Sequence, residues 1–197
     1  MRDKTYKKLE KYAGYVGTEQ LLKDGFTNKQ IACFVEEQLL ERVCHGYYWV
    51  TKSFCEKPGS YKAIEVCLSD PRAVICADSA CFYLGLIQEE PEKLSVATSR
   101  NDRSSIRVTF PIKRHYFSQS DFFQSSCKIT SGFGDYNIFD IDRSVCDCIR
   151  FKKDIDTYVF EQIIDNYRNL EHRQEMRMQE YAKRLRVFAE VKRYFES

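Results

Sequence analysis

The sequence predicts an α+β chain: an N-terminal winged helix-turn-helix followed by a mixed α/β domain with a helical C-terminus. Three observations carry this. Residues 18–50 read as helix, tight turn, helix and hairpin in that order. "TKSFCEKPGSYK" (51–62) then breaks the pattern with Pro58, Gly59 and Ser60. Beyond it strand-like and helix-like runs alternate until Asp142, after which the pattern is helical to the end.

In the first part, Leu9, Tyr12 and Ala13 sit at helical spacing among lysines, and Gly14 closes that helix. Thr18 is placed to cap "EQLLKDG", which Gly25 ends. Thr27 caps "NKQIACFVEEQLL", whose Ile31, Phe34, Val35 and Leu39 make one apolar face. In "LERVCHGYYWV" (40–50) two β-prone runs flank His45-Gly46, which reads as a hairpin turn. These limits give a winged helix-turn-helix over 1–52, a linker over 53–60 and a second domain over 61–197.

In the second part, "SYKAIEVCLS" reads as a helix and "RAVICA" as a buried strand. Asp78 is a cap for the small-residue helix "SACFYLGL". "KLSVATS", "SIRVTF" and "IKRHYF" read as strands, and "CKITSGFGDYNIFDI" as a hairpin around Gly132 and Gly134. Met178, Tyr181, Ala182, Leu185, Phe188, Val191 and Phe195 form an apolar stripe along the tail.

Composition excludes several classes. The start, "MRDKTYKKLEKYAG", has no apolar signal core. The most apolar window, 73–87, is too short and too polar to span a bilayer, so a cytoplasmic, membrane-free protein is expected. The nine cysteines show no C-x-x-C spacing. With three histidines, they argue for free thiols, with no metal and no cofactor. The net charge is only +2, so any nucleic-acid binding must come from local patches.

The second helix of a helix-turn-helix presents its N-terminal residues to the major groove. With Ile31, Phe34 and Val35 inward, Lys29, Gln30 and Cys33 face outward and Asn28 lies at the helix start. Lysine can read guanine, and Asn or Gln can read adenine. Thr18 and Thr27 sit where phosphates would lie. Arg42, His45 and Tyr47 would be the wing contacts. Against this, Glu36 and Glu37 follow on the same helix, and residues 1–50 hold eight Lys/Arg against seven Asp/Glu.

Three further groups stand out. Arg100, Arg103, Arg107, Lys113 and Arg114 face only Asp102 in 100–114, a charge set suited to phosphates, to a partner, or to guarding a sheet edge. Residues 168–193 carry eight Lys/Arg and four Glu. Asp135, Asp140 and Asp142 could hold a divalent cation for nuclease or nucleotidyl-transfer chemistry. Asp142 is also placed to cap the following helix. No phosphate-binding or nucleophile motif accompanies these carboxylates, so an enzyme is not expected.

The stretch 14–50 resembles the N-terminal domain of the AbiEi antitoxins of abortive-infection (type IV) toxin–antitoxin systems. The likeness lies in Gly14, Tyr15, Val16, Thr18, Leu21, Gly25 and Phe26, then Leu40, Arg42, Val43, Gly46 and Tyr48. "RAVICADSACFYLGL", "FDIDRSVCDCIR" (Asp140, Arg143, Cys146, Asp147 and Arg150) and the tail "MQEYAKRLRVFAEVKRYFE" continue it over nearly the whole chain. Two departures are Cys76 in place of a small hydroxyl residue and Ile141-Asp142 before Arg143.

The resemblance implies a non-enzymatic antitoxin. It would bind operator DNA of its own operon as a repressor and counter a nucleotidyltransferase-like toxin. A winged-helix regulator with a ligand-sensing second domain is the alternative, and a metal-dependent nuclease a further one.

Overall fold

The computed structural model describes residues 7–9, 11–51, 56–122, 126–171 and 173–195. By their contacts these form two compact units. The first is 1–71 with 105–109 and 130–135; the second is 72–104, 110–129 and 136–197. The architecture is α+β, as the sequence predicts. Part of the expected linker, 53–55, lies outside the described residues.

In the first unit, residues 7–9 are helical. Strand β1 (Tyr15–Gly17), helices α1 (Thr18–Lys23) and α2 (Asn28–Glu36), strands β2 (Leu40–Cys44) and β3 (Tyr47–Val50), and helix α3 (Tyr61–Ser69) follow. The sheet order is β1-β3-β2, all antiparallel. Strand β1 is absent from the sequence prediction. Only three residues separate Gly14 from the helix start, too few for an alternating pattern to register.

Gly46 turns the hairpin at φ +80, a conformation that favours glycine. A bulge between Arg42 and Cys44 twists β2. Ile31, Phe34, Leu21, Phe26, Leu39 and Leu40 fill the core, which burial alone stabilises by about 1.5–3 kcal/mol per large side chain.

The boundary between units falls after α3, later than the linker in the sequence suggests. The physical reason is Glu65, which α3 buries completely. Its Oε1 accepts from Lys57 Nζ at 2.8 Å and from the Tyr15 hydroxyl at 3.1 Å, and Lys57 also holds Glu41 at 2.7 Å. These bonds tie α3 and residue 57 to β1 and β2. Gly134 belongs here too: a Cβ on it would lie 2.9 Å from Ile64 Cγ2, so only glycine allows that approach.

The second unit holds strands β4 (Val74–Ile75), β5 (Leu94–Ser99), β6 (Ile112–Phe117), β7 (Ser126–Thr130) and β8 (Asp135–Phe139). Their order is β6-β5-β4-β8-β7. The β5–β6 and β4–β8 pairs are parallel and β4–β5 is antiparallel. Parallel β5 and β6 need a crossover. Residues 105–110, expected as a strand, lie in that crossover and form no ladder.

Helices α4 (Ala77–Tyr83), α5 (Gln119–Phe122), α6 (Ile141–Arg150), α7 (Thr157–Arg168), α8 (Glu175–Leu185) and α9 (Phe188–Phe195) complete it. Helix α6 starts two residues earlier than a cap at Asp142 would give. Its cap is Asp140, whose Oδ1 accepts from Arg143 N at 2.9 Å. Asp142 is instead buried inside the helix.

All of residues 142–149 are buried, because α4, α7, α8 and α9 pack around α6. Arg143 and Asp147 pair there at 3.2 Å, 2% and 0% exposed. Arg143 also donates to Asp121 O at 2.9 Å and lies 4.7 Å from the Phe139 ring centroid. Burial pushes the Asp147 carboxyl up to about 6 against the pull of Arg143.

Asp147→Asn leaves the guanidinium buried without its counter-charge. Chemical denaturation should show a loss of about 3–5 kcal/mol. Arg143→Met together with Asp147→Leu should recover most of it; simple additivity of the two would refute the pairing.

His115 gives a pH prediction. Burial, then Lys113, hold its imidazole down to about 4. A base with a lowered folded-state pKa stabilises the fold above the unfolded value of about 6.5, and that stability is lost as pH falls toward 4. Asp147, with a raised pKa, runs the other way over the same window. Comparing His115→Gln with the parent isolates the histidine, since both contain Asp147. The variant should lose about 3 kcal/mol less between pH 7 and 4. Parallel stability curves would overturn this.

Candidate nucleic-acid interface

The capping chemistry of α2 decides which of its polar groups remain free. Thr27 N donates to Gln30 Oε1 at 2.8 Å, and Gln30 N donates to Thr27 Oγ1 at 3.3 Å. This capping box fixes the helix start. It also occupies the Thr27 hydroxyl and the Gln30 carbonyl, so neither is an open acceptor. Asn28 and Lys29, in the first turn, are exposed. Cys33 is half-buried one turn further on.

Thr18 is the first residue of α1, and Gly17 holds the cap position. The Thr18 hydroxyl donates to Gly46 O at 3.1 Å, and its N–H donates to the same oxygen at 2.7 Å. Thr18 therefore fastens the wing turn to the start of α1. This role is visible only once β1 is paired with β3.

The outward wing residues are Arg42, His45 and Tyr47, all exposed. Tyr47 lies along Gly17, where a Cβ would sit 3.5 Å from its ring. Cys44, next to His45, is buried, and burial first and then Glu65 push its thiol up to about 11. A thiol so far from ionising is no nucleophile. Glu36 and Glu37 are exposed toward the far end of α2, so one cation, Lys29, marks its start and acids its finish.

The five cations of 100–114 are divided by their contacts: Arg107 groups with the first unit and the other four with the second. Arg100 and Arg103 are exposed. Lys113 is held by Asp154 at 3.1 Å. Arg114, its neighbour on β6, is half-buried and donates to Ser104 O at 2.7 Å.

The carboxylates of 135–142 have different partners. Asp135 groups by its contacts with the first unit. Asp140 Oδ2 takes Arg177 at 2.9 Å and the Tyr181 hydroxyl at 2.8 Å. Asp142 Oδ1 takes the Tyr167 hydroxyl at 2.7 Å and Gln174 N at 3.3 Å. Both carboxylates pin helices. Among the described residues, no cluster of His, Cys, Asp or Glu could hold a metal ion.

Sequence reasoning overlooks a cavity of about 680 Å³ in the second unit. Asp78, Glu89, Glu90, Glu92, Asp154 and Asp156 line it, with Lys93 and Lys113. Its walls come from segments far apart in the chain, so no local motif announces it. Among the described residues, no helix is long and apolar enough to cross a membrane.

No protein-family model and no curated protein matches the chain. The crystal structure of the RV2827C protein from Mycobacterium tuberculosis is similar in fold, with a TM-score of 0.68 at 8% sequence identity. The alignment covers 89% of this chain and 68% of that one. At that identity the likeness is one of fold alone.

Proposed function

We propose that this chain is a DNA-binding antitoxin. It represses its own operon through the winged helix and counters a nucleotidyltransferase-like toxin, in the manner of the AbiEi proteins that its sequence resembles. The observation that carries the DNA-binding part is the free, exposed pair Asn28 and Lys29 at the capped start of α2. The same compact unit presents Arg42, His45 and Tyr47 on its wing.

In this reading Lys29 and Asn28 meet base edges, with the free amide nitrogen of Gln30 beside them. Arg42 and His45 meet the backbone. Thr18 and Thr27 hold the geometry, and their hydroxyls are already engaged. Glu36 and Glu37 require the far end of α2 to leave the groove. The antitoxin part rests on the sequence resemblance.

A regulator that senses a ligand is the second reading. The cavity favours it by its concave shape and its volume, which is of the size that holds small molecules. A non-enzymatic role agrees with the carboxylates of 140–142, each committed to a helix-pinning bond.

The Lys29→Ala, Arg42→Ala variant tests the interface without touching the capping box. Against duplex DNA from upstream of its own gene, affinity should fall at least tenfold, with the log–log salt slope shallower by about 1–2. A promoter reporter should be derepressed in parallel. Equal gel-shift affinity of parent and variant would remove the recognition-helix assignment. Co-expression with a neighbouring nucleotidyltransferase-like gene product tests the antitoxin part: growth should be rescued by the parent chain.

A further inference from the structure

One face of the β5–β6 pair leaves three polar atoms buried without partners. Among the described residues, Arg114 Nε, Arg114 Nη2 and Thr98 Oγ1 are enclosed yet make no hydrogen bond. Thr98 is 1% exposed and Arg114 is half-buried. Both lie in the second unit. The strand register brings them together: Val96 pairs with Arg114, and Thr98 with Tyr116. Residues two apart on a strand share a face, so Thr98 is the diagonal neighbour of Arg114.

Arg114 is otherwise firmly held. Its Nη1 donates to Ser104 O at 2.7 Å, and its Cζ lies 5.4 Å from the centroid of the Tyr116 ring. These contacts fix the guanidinium and leave one whole edge, Nε with Nη2, unused. Arg143 and Arg150 each leave a single nitrogen in that condition. The charge is unanswered too. Asp102, the one acid of 100–114, pairs with Arg72 at 2.9 Å, and Asp154 holds Lys113. No carboxylate among the described residues pairs with Arg114.

An unsatisfied buried donor is costly, and a buried cation without a counter-charge more so. Water would supply an oxygen but no charge. The Nε–Nη2 edge is the fork that takes two oxygens of a carboxylate or a phosphate side by side. The Thr98 hydroxyl adds a third donor on the same face. A carboxylate has only two oxygens, and the fork occupies both. A phosphate keeps further oxygens for the hydroxyl.

We propose that Arg114 and Thr98 form a binding site for the phosphate group of a small ligand. The site belongs to the second unit and is independent of the winged helix. The segment beside it, 100–104, forms no ladder, so an anion can enter without the sheet opening.

The test uses the full chain and contains no DNA, so it stands or falls apart from the winged-helix reading. Thermal unfolding and calorimetric titration are run at constant ionic strength with inorganic phosphate, uridine monophosphate or acetate. A phosphate-bearing probe should raise the Tm progressively with its concentration, and acetate should not. Tighter binding of the nucleotide assigns the group to a nucleotide ligand; tighter binding of inorganic phosphate assigns it to the free anion. Arg114→Lys keeps the charge and loses the fork, so affinity should fall at least tenfold. Thr98→Val keeps the shape and removes an unsatisfied hydroxyl. Its stability without phosphate should therefore be unchanged or higher, while phosphate affinity falls about tenfold. The proposal is overturned if neither phosphate probe binds, if acetate stabilises equally, or if both variants bind like the parent. A loss of phosphate-free stability in Thr98→Val would also overturn it, since the hydroxyl would then be engaged within the fold.

Discussion

The second unit depends on the buried pair between Arg143 and Asp147. Helix α6 is surrounded on every side, so its polar residues had to find partners inside the protein. Burying two charges is costly unless geometry and added hydrogen bonds offset desolvation. Here Arg143 Nε sits 3.2 Å from both Asp147 oxygens, a backbone carbonyl takes another nitrogen, and aromatic rings flank the guanidinium. Asp140 and Asp142 at the start of α6 extend this outward to α7, α8 and residue 174. A polar thread thus fixes how four helices meet.

The first unit uses the same device once. Glu65, fully buried, gathers Lys57 and Tyr15 and thereby fastens α3 to the small sheet. Burial raises the Tyr15 hydroxyl, and Glu65 adds to the shift, so the phenol stays neutral and remains a donor. Capping supplies the remaining precision. The Thr27–Gln30 box fixes where α2 begins, and Thr18 fixes where the wing tip lies. Groups that look like ligand contacts in the sequence turn out to position their neighbours. The exposed candidates for the proposed contacts reduce to Asn28, Lys29, Arg42, His45 and Tyr47.

Much of this was legible because helices and hairpins announce themselves locally. The period of Ile31, Phe34 and Val35 marks the inner face of α2, and His45-Gly46 marks the wing turn. The same periodicity places Lys29 outside. Other features lack a local signal. Strand β1 is too short, and residues 105–110 alternate like a strand yet serve as a crossover. The cluster of cations at 100–114 looks continuous in one dimension. Successive residues on β6 point to opposite faces, so Lys113 and Arg114 part company.

The sequence by itself determined the α+β class, the order of elements in the winged helix, the cap at Thr27 and the outward faces of α2 and the hairpin. These follow from spacing and local sterics. Tertiary structure alone decided that α3 belongs with the winged helix, that Asp140 and not Asp142 caps α6, and that the Asp140–Asp142 pair pins helices. It also decided where the acid-lined cavity lies and which cations stand free. Those outcomes turn on which distant groups meet in a low-dielectric interior, where an unpartnered charge is costly and every polar atom is drawn to the nearest partner.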